Sequence, residues 1–350
     1  MKYIKNIFTI SAGLMLAVFG WYFYRACDMT CAIETDLVTP ARAQMSDPPA
    51  TTTLIAVGDI MPGRTVESKM QQYDDWLYPF RETYQVTTTG DIVFGNLESP
   101  LIDGATTPAY NMVFRADPGF TAGLQFGGFN ILSLANNHMK NQGTEGIINT
   151  RQTLDNANIY HVGAGENIDQ ASHPVIMEKN GIKFAFLAYL DSSFVPDSYG
   201  AKANTSGSPF MEIEKMQQNI KNIQNQADVI IVSMHAGTEY ADRPNQKQID
   251  FAHAAIESGA ELVIGHHPHV VQPVEYYQDG IILYSLGNFI FDQMWSEKTR
   301  EGAMAVINFS GTEITNLELI PVKIFDYSQP RVLTETQGQE ILNRMSDFTF

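Results

Sequence analysis

The chain has 350 residues, 44% of them hydrophobic, and a formal net charge of −17. That size and apolar content support a packed core in one large domain or two modest ones. The acidic balance argues against nucleic acid as a partner, because phosphate backbones select basic patches, and against simple electrostatic attraction of an anionic substrate, though bound cations can reverse the local sign.

Lys2 and Lys5 precede an apolar run from Ile7 to Tyr24, with no charge between Lys5 and Arg25. The run is about long enough to span a bilayer core. Its basic flank predicts a cytoplasmic N-terminus, with Trp21, Tyr22 and Tyr24 at the far headgroup layer. Residues 1–25 therefore read as a single-pass signal anchor in the cell membrane, with the domain facing the periplasm or the cell exterior. Ala41-Arg42-Ala43 offers the alternative of a secreted form released by cleavage. Cys27 and Cys31, the chain's two cysteines, lie on the oxidising side of that topology. A local disulfide, an intermolecular bridge and lipid attachment all remain open for them. Residues 26–52, with Pro40, Pro48 and Pro49 and no periodic pattern, read as a linker.

From residue 53 to about 326 strand-like and helix-like segments alternate. Short apolar runs at 54–57, 91–94, 130–134, 229–233 and 262–264 read as buried strands, and 142–157, 211–226 and 246–258 as helices. Asn180-Gly181 and Gln278-Asp279-Gly280 mark two hairpins. Further strands are expected at 303–309 and 316–324, and a tail over 327–350 carries one weak helix near 335–345. The mixture predicts an α/β, or α+β layered, sandwich with helices on the outer faces of sheets.

Each of the five buried runs ends at a polar, ligand-type residue, at the sheet edge where α/β proteins bind ligands. The first two end at Gly58-Asp59 and at Gly95-Asn96-Leu97-Glu98. The third ends at Ala135-Asn136-Asn137-His138, the fourth at His235, and the fifth at Gly265-His266-His267-Pro268-His269. His267 and His269 share a face of an extended segment. Imidazoles with carboxylates and no thiolate suit zinc, manganese or iron. The donors exceed one tetrahedral shell, so one or two divalent ions are expected; two could activate water and clamp a phosphoryl oxygen. His161, His173 and His253 break this pattern and read as structural.

Six motifs in order carry a resemblance. They are Gly58-Asp59-Ile60-Met61-Pro62-Gly63-Arg64, Gly95-Asn96-Leu97-Glu98-Ser99-Pro100, Ala135-Asn136-Asn137-His138, His235-Ala236-Gly237-Thr238-Glu239-Tyr240, Gly265-His266-His267-Pro268-His269-Val270 and Tyr284-Ser285-Leu286-Gly287-Asn288-Phe289. Over about residues 53–295 the chain resembles the CapA family of capsule-synthesis proteins, which is related to calcineurin-like metallophosphoesterases. The resemblance implies a four-layer αββα sandwich. It implies metal ligation by Asp59, Asn96, Glu98 (the better candidate for the bridging carboxylate), Asn137, His235, His267 and His269. It makes His138 a general acid or transition-state stabiliser. The phosphoesterase Asp-x-His motif is Asp59-Ile60-Met61 here, so one metal lacks an imidazole, as is usual in CapA proteins. Arg64 would bind a phosphate or carboxylate bidentately. Glu239 and Tyr240 would line the site, Asn288 would orient a ligand or substrate, and His266 would stand behind the ligands.

The functional expectation is a metal-dependent hydrolase or transferase in capsule or poly-γ-glutamate biosynthesis, acting on phosphorylated or polyanionic envelope material. The alternative is a non-catalytic assembly factor that binds the polymer beside a membrane synthase.

Overall fold

Strand β1 (Thr51–Ile60) is buried at nearly every position, so its alternating side chains feed two different cores. Ile55 and Val57 point into a cluster with Met70, Leu124 and Leu154, which belong to helices. Leu54 and Ala56 point the other way, into a cluster with Phe186 and Ile231 of a second sheet. This double burial is why the strand reads as a continuous apolar run.

The computed structural model describes residues 50–346, and the expected anchor and most of the linker lie outside them. No helix among the described residues is long and apolar enough to cross a membrane. After β1 the strands run β2 (Ile92–Leu97), β3 (Ile131–Ser133), β4 (Tyr160–Val162), β5 (Val175–Lys179), β6 (Ile182–Leu190) and β7 (Val229–His235). They continue with β8 (Leu262–His266), β9 (Val274–Tyr277), β10 (Gly280–Leu283), β11 (Asn288–Ile290), β12 (Glu301–Ser310), β13 (Glu313–Phe325) and β14 (Gln329–Val332). One sheet has the order β14-β13-β12-β1-β2-β3-β4, with short β11 also paired to β1; the other has the order β5-β6-β7-β8-β10-β9.

The sheets face each other across a shared apolar layer, where Phe94 stacks on Phe186 at 5.8 Å and Phe184 meets Phe309 edge-on at 5.2 Å. Helices Arg64–Tyr73, Thr121–Phe126 and Gly143–Asn156 cover the outside of the first sheet. Helices Ile213–Ile223 and Gln246–Glu257 cover the second, packing Met216, Ile220, Phe251 and Ala255 on Leu187 and Val232. The expected αββα layering is present. Helix Gln246–Glu257 starts with a reciprocal cap between Asn245 and Gln248, a pattern that satisfies two otherwise orphaned backbone donors.

The hairpin at Asn180-Gly181 forms with both residues at positive φ, 52° and 80°, as a two-residue turn between twisted strands requires. β1 begins two residues before the expected domain start. The segment after 326 is integral to the body: β14 pairs with β13, and Ile341 and Met345 of helix Glu335–Ser346 enter the inter-sheet core.

β11, β1, β2 and β3 run parallel in one sheet, and β6, β7 and β8 in the other. Asp59, Asn96, His235 and His266 lie at the C-terminal ends of β1, β2, β7 and β8, whereas Asn288 opens β11.

Candidate metal centre

Strand register lines up the first set of side chains. Asp59 sits opposite both Asn288 and Asn96, and in the other sheet His235 sits opposite His266. The chain reaches this packing only because residue 58 is a glycine: a Cβ there would lie 2.0 Å from Gly287 O. Asp59 N donates to that same carbonyl at 2.9 Å.

Asp59, Glu98 and His235, all buried, offer donor atoms within 4.8 Å of one another. Asn137 Oδ1 faces His235 Nε2 at 2.9 Å. Asp59 Oδ2 lies 3.4 Å from His269 Nδ1, and Glu98 Oε1 lies 3.8 Å from both His269 Nε2 and His138 Nε2. Two donors on one cation at about 2.1 Å each are separated by about 3.0–3.4 Å in octahedral or tetrahedral geometry. The Asn137–His235 spacing is of that order and the Glu98–imidazole spacings are a little longer.

Asn96 has a different part. Its amide nitrogen donates to Asp59 Oδ1 at 2.8 Å and approaches His235 Nδ1 at 3.3 Å, while its oxygen accepts from Asn136 Nδ2 at 3.1 Å. In this orientation it spaces the ligands. Asn136 Oδ1 in turn accepts from His138 N and Met139 N, fixing the turn that presents Asn137 and His138. Asn288 Oδ1 accepts from His269 Nδ1 at 3.0 Å. That tautomer leaves Nε2 of His269 with its lone pair toward Glu98, an arrangement typical of metal-binding histidines.

Asp59 Oδ2 also accepts from His267 N at 3.3 Å. His266 Nδ1 lies 3.3 Å from Asp59 Oδ1. Met61 packs in the outer core of the first sheet and contributes nothing to the centre.

The donor chemistry fits divalent cations. Glu98 Oε1, His267 Nδ1 and both ring nitrogens of His266 are buried without a hydrogen-bond partner. Such orphans cost about 1–3 kcal/mol each. Burial pushes the Asp59 carboxyl up, but the closeness of His266 and His269 outweighs this and holds it well below the usual carboxylate range. Burial, reinforced by the Asp59 charge, drives Glu98 well above that range. Burial would lower His269, yet Glu98 and Asp59 raise it to about 9. His235 is pushed well down, and His267 and His138 to about 3, chiefly by burial. Two carboxylates and a group of imidazoles buried together form an environment that cations would stabilise.

His138 stacks on Phe114 at 3.7 Å and its Nδ1 meets Asn141 Oδ1 at 2.9 Å, which leaves Nε2 facing the carboxylates. Arg64, 4% exposed, places its guanidinium carbon 4.6 Å from the centroid of the same Phe114 ring. It is paired with buried Asp292, whose second oxygen accepts from Thr65 N at 3.2 Å. Arg64 thus lies at the margin of the centre with a carboxylate already on it. Glu239 and Tyr240 are exposed at the rim.

Asp292, Phe114, Asn141 and Phe194, which stacks on His267 at 4.0 Å, escaped the sequence reading. Only Asp292 carried a signal, since it too follows an apolar run that ends a parallel strand. His161 pairs with Asp155 and His253 with Glu275, consistent with structural roles. The expected anchor and Cys27 and Cys31 lie outside the described residues.

Three comparisons bear on this geometry. Residues 53–293 match the family profile described as bacterial capsule synthesis protein PGA_cap. The chain is 30% identical over 323 residues to the "Capsule biosynthesis protein CapA" of Bacillus anthracis, covering 90% of this chain and 77% of that one. It is 31% identical to the "PGA biosynthesis protein CapA" of Bacillus subtilis (strain 168), covering 82% and 76%. The calcineurin-like phosphoesterase YfkN from Bacillus subtilis superposes with a TM-score of 0.50 at 15% identity, over 85% of this chain and 97% of that one. That last likeness is one of fold alone. Sequence match and two-sheet architecture agree: the chain belongs to the bacterial capsule synthesis family PGA_cap, built on a metallophosphoesterase-type fold.

Proposed function

We propose that the chain is a metal-dependent hydrolase or transferase of capsule or poly-γ-glutamate biosynthesis, acting on a phosphorylated or polyanionic envelope substrate. The observation that carries this is the convergence of Asp59, Glu98, Asn137, His235, His267 and His269 between the two sheets, with buried donor atoms left unpartnered. Bound divalent cations of the zinc, manganese or iron class would supply Lewis acidity toward a phosphoryl or carboxylate oxygen.

The protein's own groups do the rest. Asn96 and Asn288 hold the ligand side chains apart and in one tautomer. Asn141 keeps the His138 proton on Nδ1, so Nε2 is the atom that exchanges a proton with substrate. Arg64 is the anchor for the substrate's anionic group, in exchange for part of its bond to Asp292. Phe114 and Phe291 exclude water from the guanidinium. An N-terminal anchor over residues 1–25 would keep this domain at the outer membrane surface, beside a polymer synthase.

In a second reading the same centre binds polymer carboxylates without turnover and serves assembly; it draws on relatives named for capsule and PGA biosynthesis and not for a hydrolysis. One experiment separates the two. The full chain is purified in detergent without chelator, its metal is quantified, and it is assayed on a generic phosphodiester and phosphomonoester with and without manganese or zinc. Metal-dependent turnover abolished by His138→Ala supports the enzyme. Bound metal without turnover, together with binding to poly-γ-glutamate, supports the assembly factor. A chain that binds no divalent cation sinks both.

A further inference from the structure

Two aromatic rings stand open to water at the rim of the centre. Tyr240 is 44% exposed and Trp295 65%, and their planes meet at 79° with centroids 6.3 Å apart. The Tyr240 ring also lies 6.2 Å from the His269 imidazole, centroid to centroid, so the pair borders the ligand set directly. Neither ring belongs to one of the three apolar cores, and the chemistry described so far uses neither.

Both loops that carry the rings are held in place. Tyr240 adopts φ 62°, a left-handed backbone that a bulky residue keeps only where its surroundings over-determine it, commonly at ligand clamps. Its N–H donates to Pro268 O at 2.8 Å and Ala236 N donates to His266 O at 3.0 Å, so two backbone bonds lace this loop to the histidine turn. The Trp295 loop is tied to Asn288, the residue that orients His269. Asn288 Nδ2 donates to Gln293 Oε1 at 3.1 Å and to Thr299 O at 2.9 Å. Thr299 Oγ1 closes the loop by donating to Gln293 O at 2.9 Å. Lys298 Nζ reaches Asp242 Oδ2 at 2.6 Å and joins the two loops. The corner between the rings is therefore a fixed feature of the rim.

The surroundings select the occupant. The chain carries a net charge of −17, and Glu239, exposed next to Tyr240, makes the rim itself acidic. Burial, reinforced by that carboxylate, pushes the Tyr240 phenol up to about 12, so the ring keeps its neutral, electron-rich face. An anion would be repelled here, and a neutral apolar group would find two open faces and no enclosing pocket. A cation gains from both rings, because each face carries the negative part of the ring quadrupole. We infer that Tyr240 and Trp295 form a subsite for an organic ammonium group of the substrate, whose anionic group meets the metal centre. The substrate is then zwitterionic: a phosphoester of an amino alcohol, or the amino end of an acidic polyamide. A positive group on the substrate also resolves the conflict between an acidic protein and an anionic ligand. The inference rests on the metal-dependent reading for the anionic half of the substrate.

The test uses the full chain in detergent, both chelator-treated and metal-loaded. Choline and its uncharged isostere, in which carbon replaces the nitrogen, are titrated by NMR. Choline should bind at least about fivefold tighter than the isostere, with or without metal. Trp295→Leu, which keeps apolar bulk, should erase that preference, and Trp295→Phe should retain it. Equal binding of the two probes, or a preference unchanged in Trp295→Leu, overturns the inference. Turnover then finds the source of the ammonium group. p-Nitrophenyl phosphorylcholine is compared with methyl p-nitrophenyl phosphate, and γ-glutamyl-p-nitroanilide with its N-acetyl derivative. A lower KM for the choline ester assigns an amino alcohol, and a lower KM for the free amine assigns a polyamide end. Trp295→Leu should raise the KM of the favoured substrate about fivefold without lowering kcat. Metal-dependent turnover with neither preference overturns the inference and leaves the metal-dependent reading standing. A choline preference in a chain that turns over nothing upholds the ammonium subsite and sinks the metal-dependent enzyme.

Discussion

The centre has two sets of donors, built in opposite ways. Asp59 and His235 stand on strand ends and Glu98 directly after β2, all three sealed from solvent. Glu239, His267 and His269 stand on loops, two of the three buried, with backbone held in unusual conformations by cross-loop bonds. Strand placement positions a ligand at no backbone strain but requires desolvating charge, which only a partner or a cation offsets. Loop placement keeps a coordination face open to substrate at the cost of strain. A centre that must hold metal firmly and still meet a substrate benefits from both.

The largest expected effect tests whether the two sets form one centre. His235→Ala and His267→Ala should each lose nearly all metal-dependent turnover and a bound cation, while circular dichroism stays that of a folded protein. Wild-type stoichiometry in both variants would sink the site assignment.

Next comes the neighbour of the buried set. Asp292→Ala strands the Arg64 guanidinium, which is 4% exposed, and breaking such a pair should cost about 3–5 kcal/mol. Denaturant melts of wild type, Asp292→Ala and the double variant Arg64→Met with Asp292→Ala read this out. The double variant should recover part of the loss. If Asp292→Ala costs nothing, the pair is not the buried one described.

Saturation with metal should then stabilise the fold, by about 2.7 kcal/mol at a free concentration one hundred times the dissociation constant. A thermal midpoint that rises with zinc or manganese in the wild type, and less in Asp59→Asn than in E239Q, would rank the buried set as the stabilising one. Equal losses would erase the distinction between the two sets.

The smallest effect is a control on a histidine outside both. Burial lowers the His161 pKa, against the opposing pull of Asp155. Its folded pKa lies below the unfolded value of about 6.5, so the unfolded chain binds the extra proton first. Stability from this group is therefore present above about pH 6.5 and lost as pH falls below it. His161→Asn should flatten that part of the pH–stability curve and leave metal binding untouched. A change in metal affinity would place His161 in the centre after all.

Much of the architecture was legible because buried parallel strands read as short apolar runs and their polar terminators stand out. Helices Gly143–Asn156 and Gln246–Glu257 and the Asn180-Gly181 hairpin lie where periodicity and turn chemistry place them. Asp292 was not legible as the partner of Arg64, because 228 residues separate them and the link needs β11 laid beside β1. Phe114 and Phe194 were not legible either: an aromatic stacked on a histidine of the centre looks in sequence like any other core or loop aromatic.

The chemistry was readable from residue order alone: which donor types end which strands, that residues 53–326 contain no cysteine, and the family to which the motifs belong. Tertiary structure alone decided the grouping of those donors. Asp59, Glu98 and His235 come from the ends of three strands in two sheets, and only the stacking of those sheets brings their donor atoms within 4.8 Å of one another. Likewise, only the lacing of two loops turns Glu239 from a surface carboxylate into a neighbour of His267 and His269. Local pattern encodes residue type and period, whereas the distance between donors far apart in the chain is set by packing.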